Sequence, residues 1–477
     1  MKEGYLPKDQ RKKILLMCDD IRMPSGIGTV GKELIIGTAH RYNWVNVGGA
    51  IKHPDAGKRL DLSQDTNQNA GIEDSNVFLY PVNGYGDAAL LRNLINIEKP
   101  DAIFLITDPR YWAWLFAIEN EIRKDIPIAY LNIWDDYPAP MYNQAFYESC
   151  DALFGISKQT VNINKLVLGD KATNKVIKYV PHGLNPKVFY PIENPGKDKE
   201  FQEFKKQIFK GKEYEFVAFF NSRNIRRKQV PDTILAFRQF VDQLTPAQRE
   251  KTALLLHTEP ISEHGTDLLA VIETLCPDYC NVIFTEGRYN SKQMNYLYNM
   301  TDVQILLTSN EGWGLSLTEA MLVGNPIIAN VTGGMQDQMR FEFEDGTWID
   351  FDADFPSNHR GTYKKHGKWA FPVYPTNISI VGSPPTPYIF DDRCSWEDAT
   401  QRLMEVYNLS SEERKARGAA GREWAIGNEA GFTQEHQALR VIEGMDELFS
   451  TWTPREKFEF INTTSYKKPV LNHKLVY

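Results

Sequence analysis

The sequence predicts an α/β protein of two Rossmann-like domains facing across a cleft, and three observations carry that prediction. Short continuous apolar runs bounded by turn residues read as strands buried on both faces, as in parallel sheets. These runs alternate with amphipathic helical patterns in two series of similar size. Between the series, residues 181–195 are rich in Pro, Gly and Asn, and the chain then stays charged through Lys212, which marks a domain boundary. The length of 477 residues, at about 150 per domain, allows two or three domains.

Taken in order, the first series of strands is 14–18 (ILLMC), 44–47, 102–107 after the Lys99-Pro100-Asp101 turn, 128–133 after Ile126-Pro127, 153–156 and 176–180. The second is 216–220, 253–257, 282–285, 303–308 and 326–330. Residues 340–391 break the alternation: aromatic, bearing Pro and Gly, and without helical period, they read as a long insertion. Helices are expected at 396–408, at 410–426, where Ser410 and Ser411 precede Glu412 and Glu413 as a cap, and at 432–448. The expected division is a domain at 1–185, a second at 186–450 carrying the insertion, and a tail at 451–477.

The charge sum of 54 basic against 62 acidic residues gives −8. That balance gives no support to a wholly basic nucleic-acid binder, although local basic patches stay open. Five cysteines, an odd number, argue against a disulfide-built secreted domain. Cys276 and Cys280 form C-x3-C, but no second cysteine pair or nearby histidine pair completes a zinc site. The most apolar stretch, 102–118, is interrupted by Asp108, Pro109 and Arg110 and falls short of the about 20 apolar residues of a membrane span. The opening MKEGYLPKDQRKK lacks the apolar core of a signal peptide. A reduced, cytoplasmic protein without a transmembrane segment is expected; peripheral membrane contact stays open.

Three segments carry chemistry. After the first strand, Ser25-Gly26-Ile27-Gly28-Thr29-Val30-Gly31 contains a formal G-x-G-x-x-G, whose glycines allow a tight turn and close approach of helix-end N–H groups to a phosphate or sugar. The second strand, Val45-Asn46-Val47-Gly48-Gly49, offers no acidic residue for a ribose, so a dinucleotide fold is disfavoured. A loop lining the cleft is favoured over a purely structural turn. At the start of the second series, Asn221-Ser222-Arg223-Asn224-Ile225-Arg226-Arg227-Lys228 follows a strand. It delivers cations to the carboxyl edge where α/β folds bind ligands. Arg223 can fork to phosphate oxygens and Lys228 supplies a point charge; the bland alternative is a solvated basic turn.

The third and most specific segment is Ser309-Asn310-Glu311-Gly312-Trp313-Gly314-Leu315-Ser316-Leu317-Thr318-Glu319-Ala320-Met321, which joins a strand to a helix ending near Gly324. Gly312 and Gly314 clear the way for backbone N–H groups, and a helix start favours an anion by about 0.3–1 kcal/mol. Two carboxylates beside an anion site would repel it, so Glu311 and Glu319 need other partners, and hydroxyls of a ribose and a hexose fit. A capping box from Ser316 is the competing explanation for Glu319; it leaves Glu311, the glycines and Trp313 unexplained.

This segment resembles the E-x7-E motif of retaining glycosyltransferases of the GT-B fold, especially family 4. Val180-Pro181-His182-Gly183-Leu184-Asn185-Pro186 with Phe189 and Pro191 resembles the family's "PNGVD…F.P" interdomain segment, and Gly324-Asn325-Pro326-Ile327-Ile328-Ala329 its "GxPVVA", with Gly333-Gly334 the following pair. The resemblance implies that Glu319 holds the donor ribose and Glu311 the sugar hydroxyls near the anomeric centre. It implies that Arg223 and Lys228 neutralise the departing diphosphate, assisted by backbone N–H groups around Gly312, Trp313, Gly314, Leu315 and Ser316. Gly26 and Gly28 match the family's N-terminal loop. No cofactor and no metal are then expected, and the nucleoside-diphosphate sugar is a co-substrate. The configuration is retained by attack on the face of departure, with no essential nucleophile; a covalent Asp or Glu mechanism is the competing chemistry. A terminal helix or tail crossing back to the first domain is also implied.

Departures bear on sugar choice. Trp134-Asp135-Asp136-Tyr137-Pro138 places Trp134 where many relatives carry histidine, and His182 replaces the motif's asparagine. Asp135 or Asp136 orients an acceptor hydroxyl or makes a structural turn. The acceptor is open: a glycan or glycolipid is favoured and protein remains possible. A hydroxymethylated DNA base has a slim cue in Arg226-Arg227 and in Lys364-Lys365-His366-Gly367-Lys368-Trp369. A homo-oligomer is possible. The rival from another class is a non-catalytic sugar-nucleotide-binding scaffold.

Overall fold

The computed structural model describes residues 4–50, 52–278, 281–353 and 355–456; Cys280 and the tail beyond 456 lie outside the described residues. The first sheet comprises β1 (Lys12–Asp19), β2 (Tyr42–Gly49), β3 (Leu60–Asp61), β4 (Val77–Pro81), β5 (Ala102–Ile106), β6 (Ile128–Asn132), β7 (Ala152–Gly155) and β8 (Val176–Tyr179). Their order is β3-β4-β2-β1-β5-β6-β7-β8, parallel apart from the short antiparallel β3. The second comprises β9 (Phe216–Asn221), β10 (Thr252–His257), β11 (Val282–Phe284), β12 (Val303–Leu306), β13 (Ile327–Asn330) and β14 (Ala370–Val373), all parallel in the order β11-β10-β9-β12-β13-β14. Helices cover both faces, so residues 14–18, 102–106 and 128–131 are entirely buried and read as unbroken apolar runs. Strand order reverses at β1/β5 and again at β9/β12, and ligands of open α/β sheets bind beyond the carboxyl ends of such switch points.

Residues 340–391 do more than interrupt the second domain. They supply β14, which completes its sheet, and then a hairpin of β15 (Pro375–Ser383) and β16 (Thr386–Cys394). The hairpin reaches the first domain: the Phe390 amide donates to the Tyr137 carbonyl at 2.7 Å, and the Phe390 ring joins the apolar cluster beneath β5 and β6.

The chain crosses between domains twice, and the two crossings lie side by side. The Leu184 amide donates to the Phe432 carbonyl (3.1 Å) and the Gln434 amide to the Leu184 carbonyl (3.0 Å). Gly183 is required there, since a Cβ would sit 2.2 Å from the Thr433 carbonyl oxygen. The element that returns to the first domain is the terminal helix Gln434–Thr451. It packs on the helix Gly26–Thr38 and is held by Asp446, which pairs with Arg41 at 2.8 Å and accepts from the Tyr42 hydroxyl at 3.1 Å. Among the described residues no helix is long and apolar enough to cross a membrane.

Candidate functional site

The loops leaving the carboxyl ends of β9 and β12 meet, and they bring together charges that lie about 80 residues apart. Glu311, in the loop after β12, accepts from Arg227 Nη1 at 3.2 Å and from the Lys228 ammonium, both in the loop after β9. The side chains of Glu311 and Lys228 are only 12% and 9% exposed, so this is a largely desolvated pair. Burial alone would raise the Glu311 carboxyl, but Lys228 and then Arg227 outweigh it and hold it below the usual carboxylate range. Burial draws the Lys228 ammonium down to about 8 against the opposing pull of Glu311, with Arg227 adding to the depression.

The Glu311 loop is shaped by glycines. Gly314 takes a left-handed φ of +85° immediately before the helix Leu315–Val323. Gly333 and Gly334 lie flat against the backbone of Glu311 and Gly312: a Cβ on Gly333 (φ +52°) would sit 2.0 Å from the Glu311 carbonyl oxygen. Gly333→Ala therefore combines a strained backbone with overpacking and is expected to cost at least about 2 kcal/mol, read as a lower midpoint in chemical denaturation. An unchanged midpoint would contradict this contact.

Across the cleft, Gly312 faces the first domain, where its Cβ would stand 2.9 Å from the Ile133 carbonyl and 3.8 Å from Asp135 Cβ. Asp135 is thus brought beside the Glu311 loop, as a shared site requires. Burial raises its carboxyl while Arg227 opposes the rise. Burial, and then the charge of Asp135, push Asp136 well above the usual range. Of the two carboxyls, half-buried Asp135 is therefore the more readily ionised.

Glu319 lies one turn into the helix. Its carboxylate accepts from the Tyr298 hydroxyl and from Asn221 Nδ2 at 3.2 Å. Burial raises its carboxyl, and both donors oppose that. The capping-box explanation is excluded: Gly314 occupies the N-cap, Ser316 is already inside the helix, and no side chain caps it. Asn221 and Tyr298 escaped the sequence reading. Asn221 ends β9 at the ligand edge and was findable by position, but nothing local distinguished Tyr298.

The remaining predicted positions divide. Arg223 is exposed, and among the described residues its guanidinium has no partner. Gly26 faces the second domain, with Leu315 Cδ1 3.9 Å from where its Cβ would lie. Gly28 instead serves the turn: its amide donates to the Ser25 cap at 2.9 Å, and its Cβ would meet the Met23 carbonyl at 2.8 Å. Trp313, expected at the donor, turns its indole inward. It is 2% exposed, donates to Thr318 Oγ1 at 3.0 Å and packs edge-on against Phe432 of the second crossing. Trp134 is likewise buried, its indole N–H donating to the Asp136 carbonyl at 3.0 Å, so it does not stand in for the histidine. His182 is buried beside Trp313, and burial lowers its imidazole to about 4, leaving it neutral. In the insertion's basic run, Lys365 pairs with Glu344 at 2.7 Å and Trp369 is buried, so the run is not a continuous cationic track. Among the described residues no group of three or more His, Cys, Asp or Glu side chains is arranged to hold a metal ion.

Comparison with known proteins places this geometry. Residues 198–354 match the family model described as Glycosyl transferases group 1. An uncharacterised glycosyltransferase of Methanocaldococcus jannaschii is 24% identical over 153 residues, covering 31% of this chain and 36% of that relative's length. Sucrose-phosphate synthase from Thermosynechococcus elongatus superposes with a TM-score of 0.64 at 15% identity, covering 92% of this chain and 100% of that one. HepE from Anabaena, in complex with UDP and glucose, gives 0.62 at 13%, covering 92% and 100%. Trehalose 6-phosphate synthase from Burkholderia multivorans gives 0.59 at 11%, covering 93% and 100%. At such identities the likeness establishes the fold, which is GT-B.

Proposed function

We propose that this chain, with a Glycosyl transferases group 1 domain on a GT-B fold, is a retaining glycosyltransferase. It moves a sugar from a nucleoside diphosphate to a hydroxyl of a glycan or glycolipid acceptor. The observation that carries the reading is the pairing of Glu311 with Lys228 and Arg227 directly before the helix that bears Glu319. That HepE is crystallised with UDP-glucose supports a nucleoside-diphosphate hexose as the donor class.

In this mechanism the donor ribose binds Glu319, and the diphosphate meets the helix start, Arg223 and Lys228. Lys228 exchanges Glu311 for phosphate, which frees Glu311 to accept the sugar's hydroxyls. As the bond from the anomeric carbon to phosphate oxygen breaks, the two cations stabilise the charge on the leaving group. These cations and the helix end supply the positive charge, so no metal is needed. The acceptor oxygen, oriented by Asp135, bonds to the same carbon from the same face. Its proton passes to the departing diphosphate.

The role of Lys228 has a pH signature. Its ammonium is charged below about 8 and neutral above, so kcat/KM for the donor is expected to fall as pH rises through that value. Lys228→Arg keeps its charge and should remove the alkaline limb. A limb that persists in this variant would assign the titration elsewhere. The test of the reading as a whole is a panel of nucleoside-diphosphate sugars followed for donor consumption; if none is consumed or bound, the proposal fails.

A further inference from the structure

The hairpin β15–β16 and the loop after β9 together line a cavity of ≈ 620 Å³. The size is that of a small-molecule pocket. Arg226, Arg393, Asp391 and Asn310 contribute polar groups to its lining, and Val381 and Ile389, paired across the hairpin, an apolar wall. Arg227 also lines it, so the cavity backs directly onto the guanidinium that holds Glu311.

Two of the three guanidiniums in this lining are already engaged by carboxylates. Arg393 holds Asp232 at 2.8 Å and Gln229 at 3.1 Å, and Arg227 holds Glu311. Arg226 alone among the guanidiniums is left without a partner among the described residues, and the equally unpaired Asp391 offsets it. A phosphate backbone needs a run of uncommitted cations, which this lining lacks. Planar amide, carboxylate and guanidinium groups beside an aliphatic wall match a neutral ligand with many hydroxyls and apolar C–H faces.

The wall is also rigidly placed. Asn310 Nδ2 donates to the Phe390 carbonyl at 2.8 Å, and the Asp392 amide to the Ser309 carbonyl at 3.1 Å. On the other side the Tyr142 hydroxyl donates to the Tyr388 carbonyl at 2.9 Å. The hairpin is therefore tied both to the Glu311 loop and to the first domain. We infer that this hairpin-walled cavity is the acceptor subsite and that it takes an uncharged carbohydrate, a short glycan segment, rather than a nucleic acid. The inference rests on the glycosyltransferase reading and narrows its acceptor.

The purified full chain, with UDP present, is applied to an array printed with mono- to hexasaccharides and to a duplex containing hydroxymethylcytosine. The wild type should capture glycans and not the duplex. Val381→Trp, which narrows the cavity at its apolar wall, and Asp391→Ala should each lower that signal about tenfold, the scale of one lost buried contact. Consumption of the donor without acceptor should be unchanged in both. Wild-type glycan signal in both variants, preference for the duplex, or capture of no glycan would each overturn the subsite. Failure of the wild type to bind or consume any donor would instead remove the glycosyltransferase reading, a separable outcome.

Discussion

Glu311→Ala is expected to lower sugar transfer at least about 100-fold, the scale of losing a key electrostatic contact at the reacting centre. The carboxylate balances two cations in a largely desolvated site. Its removal takes away the carboxylate that Lys228 and Arg227 both bond directly, and breaking such a buried pair by deleting one partner costs about 3–5 kcal/mol. Lys228 then sheds its proton and is lost to the diphosphate as well. The variant should therefore lose both activity and stability, measured by initial rates and by thermal unfolding on the same preparation. Glu311→Gln, which keeps the shape, should recover part of the stability and little of the rate. Near-wild-type transfer by a folded Glu311→Ala enzyme would strip this residue of its role.

Arg223→Ala is expected to lower transfer by a similar factor, at least about 100-fold, with a different signature. Arg223 is exposed and uncommitted within the fold, so its loss should change stability by no more than about 0.5 kcal/mol. In the proposed mechanism this free guanidinium forks to the donor's phosphate oxygens with two hydrogen bonds. Unchanged turnover in this variant would leave diphosphate neutralisation to Lys228 and the helix start alone. The contrast between the two variants separates a residue engaged within the protein from one held ready for the donor.

Much of the fold was legible because both sheets are parallel and covered by helices. Burial on two faces forces strands such as 14–18 and 216–220 to be apolar throughout, and such runs stand out in any sequence. The hairpin was missed for the converse reason, whereas β14, buried throughout, is a run of only four residues that carries Pro372. Residues 375–383 mix exposed and half-buried positions without a buried run, and Phe390 is buried in a cluster formed mostly by the first domain. No local pattern announces a partner contributed from so far along the chain. Trp313 illustrates the same limit. Its position in the motif pointed to the ligand, but the second crossing delivers Phe432 against the indole and turns it into core.

The sequence by itself determined the two α/β series, the E-x7-E spacing, the cations after β9 and the glycines that a tight backbone requires. Each of these is a local demand of backbone geometry or strand burial. Tertiary structure alone decided that Arg227 joins Lys228 on Glu311, that Tyr298 and Asn221 hold Glu319, that Gly28 is a turn residue, and that a hairpin ties the Glu311 loop to the first domain. Those facts depend on which loops meet when the strand orders reverse at β1/β5 and β9/β12. Long-range meetings are set by the packing of whole sheets and leave no mark in local spacing.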